Sequence, residues 1–151
     1  MCDHERPIVL MADDDADDCM LAKDAFQETK AQAGFFCVED GDELLSYLFS
    51  SVADQPRAAE QRPLPALILL DLNMPRKDGR QALSEIKSVP AFRNIPVVVL
   101  TTSREEKDIV FSREMGAESF ITKPNRFDQW IQMMNDLADR WLRKEQPLTG
   151  R

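Results

Sequence analysis

The chain has 151 residues, of which 30% are charged, and a formal net charge of −8 at pH 7. This length suits one domain, and the negative charge disfavours unspecific binding to nucleic acid or anionic membranes, because phosphate contacts need Lys and Arg. The apolar runs are far shorter than the roughly 20 residues of a membrane-spanning helix. With no basic and apolar leader at the start, we expect a cytoplasmic protein without membrane contact.

The first half of the chain alternates strand and helix patterns. Residues Ile8–Ala12 form a short apolar run that predicts a strand. The acidic residues 13–18 follow it and indicate a helix start, since carboxylates favour the positive end of the helix dipole. Apolar residues then recur at helical spacing to about residue 31. Residues 35–38 predict a second strand, and Asp42 can cap a second helix.

The three cysteines are Cys2, Cys19 and Cys37. They are odd in number and have unrelated spacings. This pattern predicts reduced thiols, and it indicates neither a disulfide framework nor a zinc site.

The middle of the chain contains a third apolar run at residues 66–70. It is too short for a helix and has no polar alternation, which predicts a strand buried on both faces. The run ends at Asp71, and ligands of open parallel sheets bind beyond the carboxyl ends of the strands. The proline-containing residues 50–65 before it predict a surface loop. The loop after it leads to a helix that Asp78 can cap.

The second half of the chain repeats the alternation. Residues 97–100 predict a fourth strand, and 118–122 a fifth. Between them, Ser103 and Glu106 have the spacing of a capping box at a helix start, and Gly116 can end that helix in a left-handed conformation.

A last helix is predicted over residues 126–144. Its expected buried stripe comprises Phe127, Ile131, Met134, Ala138 and Trp141. A second apolar set lies partly beyond that stripe and comprises Trp130, Met133, Leu137 and Trp141. If this second set is exposed, it marks a homodimer or kinase-binding surface.

Five strands that alternate with five helices predict an α/β fold, a doubly wound five-stranded parallel sheet. Polar residues follow or end four of its strands: Asp13 and Asp14, Asp71, Thr101, and Lys123. A parallel sheet brings these ends to one edge. Three carboxylates there would repel one another unless one is protonated or a cation binds, and oxygen ligands suit Mg²⁺. A carboxylate beside Mg²⁺, Lys and Thr is suited to accept a phosphoryl group.

The sequence resembles the receiver domain of two-component response regulators over nearly the whole chain. The resemblance rests on the pair Asp13-Asp14, the block LLDLNMPRKDG at residues 69–79, Thr101 and Lys123-Pro124. It implies a flavodoxin-like fold with strand order 2-1-3-4-5. It also implies a single receiver domain over residues 1–151, with a core at about 7–145, short flexible termini and no output domain.

The resemblance also implies roles for individual residues. Asp71 would accept the phosphoryl group from a phosphohistidine of a sensor histidine kinase. Asp14 would bind Mg²⁺ directly and Asp13 mainly through water, while the backbone carbonyl of Asn73 would complete the protein ligands. Lys123 would pair with the phosphoryl group.

A conformational switch is implied at Thr101 and Phe120, on the face formed by helix 4, strand 5 and helix 5. Asn73 and Ser103 occupy positions that commonly tune phosphoaspartate hydrolysis in the family. The motif Leu-Thr-Thr-Ser at residues 100–103, the proline-rich insertion and the Trp-bearing last helix resemble small stand-alone receivers that partner bacterial phytochromes.

Two other functions compete with this one. Phosphatases of the haloacid dehalogenase type also form phosphoaspartate with Mg²⁺, but they usually carry a second Asp two residues after the nucleophile, where this chain has Asn73. Their acidic pair also comes late in the chain, whereas Asp13 and Asp14 come first. The other alternative is a binding module that works without phosphorylation. The presence of Asp13, Asp14 and Asp71 together disfavours it.

Overall fold

A computed structural model of the protein describes residues 6–51 and 64–142. Strands and helices alternate from the first described element to the last. They are β1 (Ile8–Ala12), α1 (Ala16–Glu28), β2 (Gly34–Val38), α2 (Gly41–Ser51), β3 (Leu67–Leu70), α3 (Gly79–Ser88), β4 (Val97–Thr101), α4 (Glu106–Glu114), β5 (Ser119–Thr122) and α5 (Phe127–Trp141). Cys2, most of the predicted 50–65 loop and the predicted end of the last helix lie outside the described residues.

All the strand pairs are parallel, and the order in the sheet is β2-β1-β3-β4-β5. The predicted doubly wound α/β fold is therefore confirmed. The register aligns Ala12 with Leu70 and Thr101 with Thr122, so that the residues after these strands share one edge.

Two apolar clusters cover the two faces of the sheet. Alternate residues of a strand point to opposite faces, so Leu10 and Ile68 pack with α2 and α3, whereas Met11 and Leu69 pack with α1 and α5. Every residue of β1, β3 and β4 is buried, as expected for central strands of a parallel sheet. This double burial holds the strand ends, and the polar residues that follow them, in fixed positions.

The buried face of α5 differs from the predicted stripe. Trp130, Met133 and Leu137 are buried together with Met134 and Ala138, while Phe127 is 41% exposed. The helix packs against both the sheet and α1, so its buried face is wider than the predicted stripe. The apolar patch that was expected to mark a homodimer or kinase surface is therefore not exposed.

The prediction of reduced thiols is wrong for two cysteines, because the structure joins Cys19 and Cys37 in a disulfide with a Cα–Cα distance of 6.4 Å. Cys19 lies at the start of α1 and Cys37 near the end of β2. In a β-α-β unit these two places meet at the same sheet edge, and the 18-residue separation along the chain does not reveal that proximity.

Candidate functional site

Three carboxylates converge at the carboxyl edge of the sheet. Asp13, Asp14 and Asp71 each have an oxygen within 4.8 Å of the others. Asp13 and Asp71 are 2% and 7% exposed, whereas Asp14 is open to solvent. Oxygen donors of this kind are what Mg²⁺ and similar hard divalent cations bind in proteins, and one exposed ligand leaves a route for the ion.

Lys123 provides the positive charge within this cluster. Its Nζ lies 2.7 Å from Asp13 Oδ2, 2.7 Å from Asp18 Oδ2 and 3.1 Å from Asp71 Oδ2. Its side chain is only 6% exposed, and its backbone N–H donates to the carbonyl of Thr101 over 2.9 Å. The ammonium group is therefore buried against the carboxylate that was predicted to accept the phosphoryl group.

The pKa values of Asp13 and Lys123 are both shifted in this cluster. Burial raises the pKa of Asp13 to about 6, although Lys123 and the backbone N–H of Asp15 lower it. Burial alone would lower the pKa of Lys123, but hydrogen bonds to Asp13 and Asp18 outweigh it and raise that pKa. One ammonium group thus faces three carboxylates, and a divalent cation would relieve the remaining repulsion.

The loop after β3 is held by backbone contacts. The N–H of Asp71 donates to the carbonyl of Ala12, and the N–H of Asn73 donates to Asp71 Oδ1 over 3.3 Å. Asp78 caps α3, as predicted, and it forms a capping box with Gln81 that was not predicted. These contacts orient the Asp71 carboxylate at the mouth of the cluster.

Gly79 allows the start of α3 to approach this loop. Its N–H donates to the carbonyl of Leu72 over 2.9 Å. A Cβ at this position would overlap the backbone carbonyl oxygen of Asp71 and lie 2.6 Å from Leu72 Cα. A side chain would therefore displace the backbone that carries Asp71.

The two residues of the predicted switch lie on neighbouring strands. Thr101 ends β4 and is fully buried, and its Oγ1 accepts from the N–H of Ser103 over 3.4 Å. Phe120 is half-buried on β5 and lines two cavities. One, of about 250 Å³, borders α4, and the other, of about 470 Å³, borders α5. The ring thus lies between two surface pockets and also packs against the core.

Ser103 does not form the predicted capping box. The helix α4 has Glu105 at its N-cap, with no side-chain hydrogen bond to the helix. The hydroxyl of Ser103 instead donates to Asp108 Oδ2 over 2.7 Å and accepts from the N–H of Glu105. The buried carboxylate of Asp108 competes for this hydroxyl, and the sequence spacing alone did not indicate it.

Three further residues at the site were missed by the sequence analysis. Asp18 contacts Lys123 but was interpreted only as part of an acidic helix start, and no spacing in the sequence connects it with Lys123. Arg80 and Asp108 form an ion pair between α3 and α4, and no spacing in the sequence connects them.

Comparison with known proteins identifies the family. The model of the response regulator receiver domain matches residues 9–135. The chain belongs to this family. It is 34% identical over 144 residues to the response regulator Rcp1 of Synechocystis sp., covering 94% of this chain and 95% of Rcp1.

Solved structures agree with this family assignment. The Mn²⁺-bound form of Rcp1 superimposes with a TM-score of 0.77 at 32% identity, covering 96% of this chain and 99% of that one. The phosphorylated cyanobacterial phytochrome response regulator RcpA superimposes with a TM-score of 0.80 at 35% identity, covering 92% and 96%. The predicted strand order and the narrower resemblance to phytochrome response regulators are confirmed. Among the described residues, no helix has the length and apolar character needed to cross a bilayer.

Proposed function

We propose that this protein is a response regulator that accepts a phosphoryl group on Asp71 from a phosphohistidine of a sensor histidine kinase, with Mg²⁺ bound beside it. The observation that carries the proposal is the meeting of Asp13, Asp14, Asp71 and Lys123 at one sheet edge, in a chain of the receiver family. We assign the protein no other substrate, and it would assist only its own phosphorylation and dephosphorylation.

The chemistry is a transfer between two protein side chains. A carboxylate oxygen of Asp71 attacks phosphorus, so that a P–O bond forms while the P–N bond to the kinase histidine breaks. Lys123 is near enough to pair with the oxygens of the transferred group, and the hydroxyl of Thr101 donates to one of them once it moves inward. Both groups offset negative charge that grows as the phosphoryl group arrives.

Mg²⁺ would be held by Asp14, by Asp13 mainly through water, by Asp71 and by the backbone carbonyl of Asn73. When bound, it supplies positive charge to the phosphoryl oxygens. The close approach of the three carboxylates supports this assignment, because a cation stabilises carboxylates whose oxygens lie within 4.8 Å of one another. The Mn²⁺-bound form of Rcp1 shows that a similar receiver holds a divalent ion.

The output would come from the Thr101 and Phe120 switch. When Thr101 moves toward the phosphoryl group, the aromatic ring of Phe120 can turn inward and change the surface formed by α4, β5 and α5. The position of Phe120 supports this, because its ring is half-buried on β5, beside the strand that Thr101 ends, and a ring near the surface moves with less repacking than a fully buried one.

The partner kinase would be of the phytochrome type, since RcpA is a phytochrome response regulator and Rcp1 resembles this chain over nearly its full length. A homodimer through the last helix and the one-domain organisation both stay predictions.

The dehalogenase-type phosphatase is disfavoured because Asn73 cannot replace the second carboxylic acid of such enzymes.

The test is phosphorylation with a small-molecule donor such as acetyl phosphate. With Mg²⁺, the intact mass should rise by one phosphoryl group, and Asp71→Asn should remove the labelling. Asp78→Asn is the matched control, because it changes another Asp of the same loop and Asn also caps helices well. Labelling of Asp71→Asn at the wild-type rate would refute the assignment.

The kinase assignment has its own experiment. The purified protein is mixed with a phosphorylated phytochrome-type kinase or with an unrelated sensor kinase, and the transfer rates are compared. We expect transfer to be fastest from the phytochrome-type kinase. Equal rates from both kinases would contradict this partner and leave the acceptor role of Asp71 intact.

A further inference from the structure

An ion pair with a buried carboxylate connects the start of α3, which follows the Asp71 loop (residues 71–78), with the start of α4, which follows the Thr101 strand. Arg80, in the first turn of α3, donates through Nε to Asp108 Oδ1 over 3.1 Å and through Nη2 to Asp108 Oδ2 over 3.0 Å. Asp108 is 3% exposed. Two parallel hydrogen bonds from a planar guanidinium group define both the distance and the orientation of the carboxylate. The start of α4 is therefore tied to the start of α3.

Each residue of this ion pair also contacts residues of the candidate site. On the acceptor side, Nη1 of Arg80 lies 3.5 Å from the carbonyl of Leu72 and from Oδ1 of Asn73. On the switch side, Asp108 accepts the hydroxyl of Ser103 over 2.7 Å. The backbone N–H of Ser103 in turn donates to Oγ1 of Thr101.

The charge of Asp108 is stabilised by these partners. Burial raises its pKa, but hydrogen bonds from Ser103 and Arg80 outweigh burial, so that the pKa lies below its ordinary value. Asp108 is thus ionised at neutral pH and keeps the hydroxyl of Ser103 as a donor. That hydroxyl donates to Asp108 and accepts from the N–H of Glu105.

We propose that Arg80 and Asp108 are positioning residues that hold the Ser103 hydroxyl away from the acceptor and thereby slow the hydrolysis of phosphoaspartate. This inference rests on the proposed function of Asp71. In hydrolysis, a water oxygen forms a bond to phosphorus, the P–O bond to Asp71 breaks, and inorganic phosphate leaves with the protons of the water. A released Ser103 hydroxyl can hydrogen-bond that water and orient it for attack.

The test is a double-mutant cycle on the hydrolysis rate of phosphorylated protein after the donor is removed. Arg80→Ala should speed hydrolysis by about threefold or more. In the background of Ser103→Ala, the same change should have almost no effect, because Arg80 acts through Ser103. Arg80→Lys should behave like Arg80→Ala, since an ammonium group cannot make the two-point contact.

The matched control is Arg76→Ala. Arg76 donates to the buried carboxylate of Asp40 on the other side of the acceptor loop, and neither residue contacts Ser103. This variant loses a similar ion pair, so it should lose stability but hydrolyse at the wild-type rate. An unchanged or slower rate in Arg80→Ala, or equal acceleration with and without Ser103, would overturn the proposal.

A second measurement uses unphosphorylated protein. Amide hydrogen exchange at Ser103 and Glu105 should be faster in Arg80→Ala than in the wild type or in Arg76→Ala. Unchanged exchange would overturn the positioning role even if labelling of Asp71 succeeds. If the wild type takes up no label while exchange is faster in Arg80→Ala, the proposed function fails but the hold on Ser103 is supported.

Discussion

Replacement of Lys123 by Met tests whether the ammonium group offsets the charge of the acidic cluster. Its Nζ contacts three carboxylates, of which Asp13 and Asp71 are nearly inaccessible to solvent. Met has a similar length and no charge. We expect the variant to fold but to be markedly less stable than the wild type at pH 7 without Mg²⁺.

The magnitude follows from burial and from proton uptake. Removal of one partner of a buried ion pair costs about 3 to 5 kcal/mol. Asp13 already has a pKa of about 6 with Lys123 present, and that pKa must rise further when the lowering effect of Lys123 is lost. Proton uptake by Asp13 then limits the penalty, so we expect a loss of about 3 kcal/mol at pH 7.

The pH dependence has a defined sign. The folded pKa of Asp13 lies above its ordinary value of 3.8, so its contribution to stability is present at low pH and is lost as pH rises through the folded pKa. This loss moves to higher pH in the variant. The stability difference between the wild type and Lys123→Met should therefore shrink between pH 7 and about pH 5.5. Mg²⁺ should stabilise the variant more than the wild type because it replaces the missing positive charge.

The assay is urea unfolding followed by circular dichroism at both pH values, with and without Mg²⁺. Lys77→Met is the control, since Lys77 forms its ion pair with the half-exposed Glu85 and should show little change in stability. A Lys123→Met variant as stable as the wild type at pH 7, or destabilised equally at both pH values, would refute the reasoning.

Three further changes test other parts of the site. Gly79→Ala should lower the free energy of unfolding by about 2 kcal/mol or more, because its Cβ would overlap the backbone of Asp71; a wild-type melting temperature would contradict the close approach. Asp108→Asn should lower the free energy of unfolding by about 2 kcal/mol at pH 7. Because the folded pKa of Asp108 lies below 3.8, its contribution is lost as pH falls through that pKa, so urea unfolding should show the difference shrinking below about pH 4; a constant difference would argue against a charged native Asp108. In thermal unfolding, Mg²⁺ at about 100 times its dissociation constant should raise the free energy of unfolding of the wild type by about 2.7 kcal/mol and that of Asp14→Ala by almost nothing. Equal increases in both proteins would show that Asp14 does not bind the metal.

The sequence alone determined the succession of elements and the residues at the strand ends. Short apolar runs such as Ile8–Ala12 have one stable placement, the centre of a parallel sheet covered on both faces. Once the strands are parallel, their carboxyl ends must share an edge. The meeting of Asp13, Asp71, Thr101 and Lys123 was therefore predictable without any contact being known.

The helix faces needed the tertiary structure. On α5, helical periodicity indicated a stripe through Phe127, but the helix buries Trp130 and Met133 instead. A helix that packs on two neighbours has a buried face set by both of them, and periodicity describes only one axis. The same limit hid the disulfide of Cys19 and Cys37, which joins two elements that are separate in the chain.

Only the tertiary structure decided which partner each polar side chain near the site selects. Asp18 turns to Lys123, and Ser103 gives its hydroxyl to Asp108 instead of capping α4. These choices depend on which buried charge lies closest in space, because a buried charge gains more from a hydrogen bond than an exposed helix end does. Sequence spacing predicts a partner within the same element, but it does not reveal a competing partner on another element.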